Sequence, residues 1–359
     1  MTRRFPVHQL LPNMEYGDAI SNYALILQQL LSQNGRPSSI FAQHIHRQLS
    51  RRARPLSALG RAAEQVGTVW LYHHSTASEI PRQLRELKGR VVLIYHNITP
   101  PNLSHGGDDF QAARLSSGME DLRSLLDLPV LAVGVSGHNQ EQLRRIGFPR
   151  TETMPIAIDL QQFSHKPQAR LVRQLNDGKV NFISVGRLCP HKKIEDVIRV
   201  FHYYHHLINS DSRLFVVGDR QEANRHFSEL AQLCQRLELP EVNFTGRVRF
   251  SELIAYYQTA HVYLCMSEHE GFCVPLLEAM HLGVPIIAYN AAAVGETLGN
   301  AGVLFNEKKH AEIAELAHLL VTDDQLRARV IEQQRTRALA FKPEALAAKL
   351  EHVLNLAQS

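Results

Sequence analysis

The sequence predicts an α/β protein of two doubly wound, parallel-sheet domains, and three observations carry that expectation. Short β-rich runs alternate with longer helical patterns from end to end, the rhythm of βαβ units. Several of these runs, VVLIY at 91–95 and PIIAY at 285–289 among them, are almost continuously apolar, as suits strands covered by helices on both faces. The chain has 359 residues, enough for two domains that each bury a core. A cleft between two such domains is a natural ligand site.

In the first half the strand pattern falls at 7–12, 39–43, 68–72, 91–95, 130–135 and 153–155. In the second it falls at 181–185, 214–217, 242–245, 262–266, 284–289 and 303–305. Helical periodicity covers 18–33, 109–126, 138–146, 194–208, 222–237, 274–282, 309–319, 323–340 and 343–356. Gly35, Gly147 and Gly283 follow helical patterns, where a residue of positive φ commonly ends a helix. The polar stretch 159–179 interrupts the rhythm and is expected to be the interdomain linker, giving domains 1–165 and 166–359. The last two helical segments follow the final strand and are strongly amphipathic, so they can pack back across that linker.

With 44% hydrophobic residues, 20 Gly and 16 Pro, the composition excludes a disordered chain, a collagen and a coiled coil. The 39 Lys and Arg against 35 Asp and Glu leave a formal charge of +4, which demands no nucleic acid partner. Cys189, Cys234, Cys265 and Cys273 form no CxxC pair, so they are expected as reduced thiols. The start, MTRRFP, leads into no signal-like apolar segment, and no apolar stretch has the length of a membrane span. These features set the expectation of a cytoplasmic protein.

Other chemistries lack their motifs. GxGxxG and GxxxxGK are absent, and Gly134-Val-Ser-Gly137 is not GxSxG, against a dinucleotide dehydrogenase, a P-loop enzyme and a serine hydrolase. His269-Glu270 has no second histidine at the HExxH spacing, and His202, His205 and His206 have no supporting carboxylate or cysteine cluster, so no metal site is expected. Asp108-Asp109 precedes a helix, where acids favour the dipole. Arg47 to Arg61 holds five arginines and no acid; it reads as a solvated basic loop, and it also suits peripheral contact with an anionic membrane surface.

The richest stretch is VYLCMSEHEGFCVPLLEAMHLGVPIIA at 262–288. A buried strand runs into the polar loop SEHEGF, which enters a helix near Val274-Pro275. The loop then lies at a strand's carboxyl end, and the helix presents free N–H groups to an anion. Glu270 and Glu278, with seven residues between them, can both face a cleft and accept hydrogen bonds from hydroxyls. The spacing equally suits a solvated loop acid and an ordinary helix residue. Arg187 and Lys192 sit in a second strand-to-helix loop, GRLCPHKK at 186–193, where a guanidinium fork and a point-charge ammonium can hold a diphosphate. Surface charge on a loop is the other reading. In the first half, Gly17 follows the opening strand and lets backbone approach a ligand. His96 follows the strongest buried strand, in YHNITP, with His73, His74, Ser75 and Ser78 after its neighbour. His96 also suits a structural turn.

On these residues the chain resembles a retaining glycosyltransferase of the GT4 family, whose GT-B architecture sets two Rossmann-like domains across a cleft. The signature EHEGFCVPLLEAM carries the E-x7-E motif on Glu270 and Glu278. GDAISN at 17–22 and YHNITP at 95–100 are similar to bacterial mannosyltransferase-like members of surface polysaccharide biosynthesis. The resemblance implies that Arg187, Lys192 and the Gly17 loop bind the donor diphosphate, and that Glu270 and His96 act at the transferred sugar. It also implies that Glu278 holds the ribose, with Gly271, Phe272, Cys273 and Val274 meeting sugar or phosphate. The 1–165 domain becomes the acceptor side and 166–359 the donor side. The implied donor is a nucleotide diphosphate sugar, GDP-mannose favoured, with no metal or other cofactor. The implied acceptor is a glycan or lipid-linked saccharide, with the enzyme at the inner face of the membrane or free in the cytoplasm. The family motif usually ends in Lys-Gly where this chain has Lys192-Lys193. A non-catalytic sugar-nucleotide-binding protein and a GT-B nucleotide-sugar epimerase share these features.

Overall fold

A computed structural model describes residues 4–100, 103, 109–219 and 225–359, the side chains of 109–112 excepted. The start of the chain, the acidic side chains of Asp108-Asp109 and residues 222–224 of one expected helix therefore lie outside the described residues. The chain forms two compact units. The first holds most of the chain up to Asp159 together with Phe341–Ser359, and the second holds Leu160–Ala340.

In the first unit the strands are β1 (Val7–Met14), β2 (Ile40–Ile45), β3 (Arg54–Pro55), β4 (Val69–His74), β5 (Arg90–Tyr95), β6 (Leu131–Gly134) and β7 (Thr151–Thr153). They form a parallel sheet ordered β3-β2-β1-β4-β5-β6-β7. Every residue of β4 is buried, because helices cover both faces. Leu10, Phe41, Trp70 and Leu93 pack on one side, while Leu11, Met14, Ala24 and Ile40 pack in a separate cluster.

The second unit repeats the plan with β8 (Val180–Val185), β9 (Ser212–Val217), β10 (Val242–Gly246), β11 (Val262–Cys265), β12 (Ile286–Tyr289) and β13 (Val303–Phe305). Its parallel order is β10-β9-β8-β11-β12-β13. Phe182, Phe201, Leu264, Ile287 and Ile313 share one core. In each sheet the chain order reverses at one place, between β1 and β4 and between β8 and β11. Doubly wound sheets bind ligands at the carboxyl ends of such strands.

Local signals set the helix ends. Asp18 accepts a hydrogen bond from the Ser21 N–H at 3.0 Å at the start of helix Ala19–Gln33. Ser136 does the same for Asn139 at 3.2 Å, as N-caps do. Gly147 (φ 113°) and Gly283 (φ 72°) end their helices in the left-handed region.

The structure differs from the sequence expectation in several places. The stretch 159–179 is no free linker: it forms a 3-10 turn (Leu160–Ser164) and a helix (Ala169–Leu175) of the second unit. Leu160, Phe163 and Leu175 are buried, and Phe163 packs on Phe250 with ring centroids 5.2 Å apart. Polar neighbours on the solvent side masked those three anchors. The terminal helix Pro343–Gln358, assigned from sequence to the second domain, belongs to the first unit. It buries Leu346, Leu350, Val353, Leu354 and Ala357, and Arg36 grips Glu351 through two hydrogen bonds of 3.2 and 2.8 Å. The preceding helix, Asp324–Ala338, stays with the second unit, where Gln334 accepts from Ile286 N–H and donates to the Val284 carbonyl. The arginine run is not all loop, since β3 pairs with β2 within it. Helix Phe250–Thr259 was not recognised from the sequence. No described helix is long and apolar enough to cross a membrane.

Candidate active site

Two loops meet at the point where the second sheet reverses. The first follows β8. Gly218, just past β9, has φ 147°, and a Cβ there would lie 2.0 Å from the Gly186 carbonyl oxygen. Only glycine permits that crossing. The chain then runs through Arg187, a 3-10 turn at Pro190–Lys192, and Lys193 at φ 52°, ψ 47° before helix Ile194–Tyr203 begins. The turn that a glycine would make is thus kept by Lys193 in the left-handed region. Its Nζ lies 3.4 Å from Glu195 and 3.5 Å from Glu268.

The second loop follows β11 and enters helix Val274–Leu282, whose N-cap Cys273 has φ 75° and whose first turn contains Pro275. Between them the loops place the Lys192 ammonium 2.5 Å from the Glu270 carboxylate, with side chains 17% and 9% exposed. Burial opposes both charges, but the pair outweighs it: Lys192, aided by Ser267, holds the Glu270 carboxyl below its ordinary range, and Glu270 holds the Lys192 pKa above its own. Both are therefore charged at neutral pH. Arg187, Lys192, Tyr263, Ser267, Glu270 and Cys273 line one small cavity. Arg187 itself is exposed. The Sγ atoms of Cys265 and Cys273 and a Glu270 oxygen lie within 4.8 Å of one another. This would suit a metal by element type, but the Lys192 ammonium already neutralises that carboxylate.

Glu278 lies one turn along the same helix, half-buried, and accepts a hydrogen bond from the Tyr257 hydroxyl at 2.8 Å. Burial pushes its carboxyl up to about 7. Phe272 is buried and its carbonyl accepts from Thr297 Oγ1 at 2.5 Å, which ties Gly271–Val274 to the next helix, Val294–Leu298. Arg187, Lys192, Glu270, Gly271, Phe272, Cys273, Val274 and Glu278 are thus gathered at one sheet edge. Sequence reasoning missed the shell behind them. Lys308 bonds Asp196 at 2.8 Å and Glu268 at 2.7 Å, and it follows the last strand with no motif to mark it. Ser267 opens the SEHEGF loop with no motif to mark it, and Tyr257 lies on helix Phe250–Thr259.

Gly17 and His96 lie in the first unit. Gly17 has φ 74° in the turn after β1, before the Asp18 cap. His96, directly after β5, is 8% exposed, and its Nε2 lies 2.9 Å from Nδ1 of His73. Tyr23 packs edge-on against both rings. His74 and Ser78 do not join them: His74 Nε2 meets the Gly118 carbonyl at 2.9 Å, and the Tyr72 hydroxyl meets His74 Nδ1 and Ser78. The histidines at 205 and 206 bond Ser212 and the Leu237 carbonyl.

The chain is similar to known proteins in sequence and in fold. Residues 166–337 match the family model described as glycosyl transferases group 1. Over 242 residues, 66% of this chain and 59% of the relative, the sequence is 27% identical to a GDP-mannose-dependent alpha-mannosyltransferase of Mycobacterium tuberculosis. The chain spans about half the length of the curated relatives it matches. Its fold is similar to sucrose-phosphate synthase from Thermosynechococcus elongatus, with TM-score 0.75, 19% identity and 98% of each chain covered. It is also similar to Anabaena HepE in complex with UDP and glucose, with TM-score 0.72, 17% identity and 98% and 100% covered. Residues 166–337 are thus similar to the glycosyl transferases group 1 family, in a chain whose two parallel-sheet units have the GT-B fold.

Proposed function

We propose that the protein is a retaining glycosyltransferase that moves a hexose from a nucleotide diphosphate sugar to a hydroxyl of a glycan or lipid-linked saccharide. The observation that carries this reading is the buried Lys192–Glu270 pair beside the exposed Arg187, at the reversal point of a group 1 domain. Two cations and a helix N-terminus at one sheet edge match the charge that develops on a departing diphosphate. In this reading Lys192 and Arg187, with the Gly17 loop, hold the diphosphate, and Glu270 turns to the sugar hydroxyls once the phosphates share Lys192. Backbone N–H groups of Gly271 to Val274 meet sugar or phosphate, Glu278 takes the ribose hydroxyls, and His96 stands beside the transferred sugar.

The anomeric carbon–oxygen bond to the diphosphate breaks, and the acceptor oxygen bonds to that carbon from the same face. The acceptor proton passes to the leaving phosphate oxygen, so no separate base is required. Side-chain cations supply the neutralisation, and turnover is expected to persist in excess EDTA. GDP-mannose is the favoured donor, supported by the name of the mycobacterial relative; the UDP and glucose in the Anabaena structure make UDP-glucose the competitor. The test is a thermal-shift panel of GDP, UDP and their sugars, followed by release of nucleotide with and without a mannosyl acceptor. GDP-mannose should raise Tm most, by an amount that grows with its concentration. Absence of any shift and any turnover across the panel overturns the reading. Conversion of the donor to a new nucleotide sugar without acceptor would instead show an epimerase.

A further inference from the structure

Three neighbouring strands of the first unit, β1, β4 and β5, carry a rising line of polar side chains. Gln9 pairs in register with Leu71, and His73 with Ile94; each next rung, His73 and then His96, lies two residues further along its strand or just past it. With a side-chain period of two, all three point to the same face. The line climbs to the carboxyl edge of the sheet.

Its hydrogen bonds have a single consistent direction. Gln9 Nε2 lies 2.9 Å from the Ala24 carbonyl, which can only accept, so the Gln9 amide nitrogen must face it. Gln9 Oε1 therefore faces His73 Nε2 at 3.0 Å and requires an N–H there. Burial holds His73 at a pKa of about 3 and His96 well below its ordinary value, so each neutral ring carries one proton. With its proton on Nε2, His73 offers a bare Nδ1 to His96 Nε2, 2.9 Å away in a ring inclined by only 17°. His96 must then carry its proton on Nε2. Its Nδ1 is left as a lone pair, buried and with no hydrogen-bond partner among the described residues. A buried acceptor without a partner is tolerated more readily than an orphaned N–H, in keeping with that direction. His74, one residue from His73, shows the contrast, with both ring nitrogens partnered.

We infer that Gln9 and His73 are positioning residues that lock His96 in the neutral Nε2–H tautomer, so that its Nδ1 accepts a hydrogen bond from a hydroxyl of the donor sugar. The identity of that hydroxyl-bearing ligand rests on the proposed transferase function; the tautomer does not.

The deciding experiment is a long-range 15N–1H spectrum of the histidine-labelled full chain at pH 7. His73 and His96 should both show a protonated Nε2 and an unprotonated Nδ1; an Nδ1–H tautomer or an imidazolium at His96 overturns the proposal. The nucleotide sugar, of GDP-mannose and UDP-glucose, that raises Tm more is then added at saturation. It should shift the His96 Nδ1 resonance, and an unmoved signal overturns the acceptor role. Gln9→Leu should let His96 populate both tautomers and lower kcat about tenfold with donor KM within twofold. An unchanged kcat in folded Gln9→Leu removes the positioning role. If Gln9→Leu does not fold, the wild-type spectrum still decides. Absence of all turnover together with the expected wild-type tautomer would sink the transferase reading and leave the relay standing.

Discussion

Lys192 and Glu270 are each other's solvent. Taking one away leaves a charge that is nearly dry, which costs about 3–5 kcal/mol in comparable buried pairs, whereas replacing both by apolar residues is close to neutral. Lys192→Met alone should therefore lower stability markedly in urea denaturation, and Lys192→Met with Glu270→Leu should recover most of it. Both single variants should lose at least about 100-fold in donor turnover, the scale of removing one preorganised charge at a reacting centre. Glu278 makes a pH prediction. Its folded pKa, near 7, lies above the ordinary 4.5, so the protonated acid is favoured by folding. That contribution is complete below about pH 4.5 and is lost as pH rises through 7. The carboxylate that would accept ribose hydroxyls forms over the same upper range. Nucleotide affinity should rise from pH 6 to pH 8 in calorimetric titration, and Glu278→Gln should flatten that rise. The two loops at the reversal point of the second sheet were legible because charged residues and glycines cluster at strand ends in a recognisable signature. Gln9, Tyr257 and Lys308 were not, since each acts through a partner more than fifteen residues away along the chain.

At the scale of elements, the two sheet-edge turns differ in how they meet backbone strain. Gly218 meets the Gly186 carbonyl with no room for a Cβ, so Gly218→Ala should force the β8 and β9 loops apart and cost several kcal/mol in a denaturant titration. Lys193 sits in the left-handed region at a cost of about 1 kcal/mol relative to glycine. Lys193→Gly should raise Tm by about 2 °C, less what its half-exposed ion pairs contribute. Most strands were readable to within two residues, because doubly buried strands are largely apolar, whereas the two-residue, exposed β3 gave no signal and β7, at the sheet edge, lies two residues before its expected place. The helices missed from sequence were short or, as with Phe250–Thr259, mixed in polarity. Leu160, Phe163 and Leu175 show the same limit: three anchors in a polar stretch give no periodicity.

For the whole molecule, the division into two Rossmann-like units followed from the alternation of strands and helices, but the ownership of the last helix did not. Amphipathicity shows that a helix needs a partner and leaves open which one. Its buried face and the Arg36–Glu351 clasp settle the matter in favour of the first unit. A chain ending at Ala340 should lose protease resistance in Val7–Thr153 while the Leu160–Ala340 unit keeps its own, as mass spectrometry of limited digests would read. The return also inverts the order of synthesis. The amino-terminal unit leaves the ribosome first, but its packing is complete only once Phe341–Ser359 has been made, so the later-made unit should be able to finish folding before the earlier one. Nascent chains stalled before residue 341 would then expose an unsealed amino-terminal sheet, a client for chaperones throughout translation.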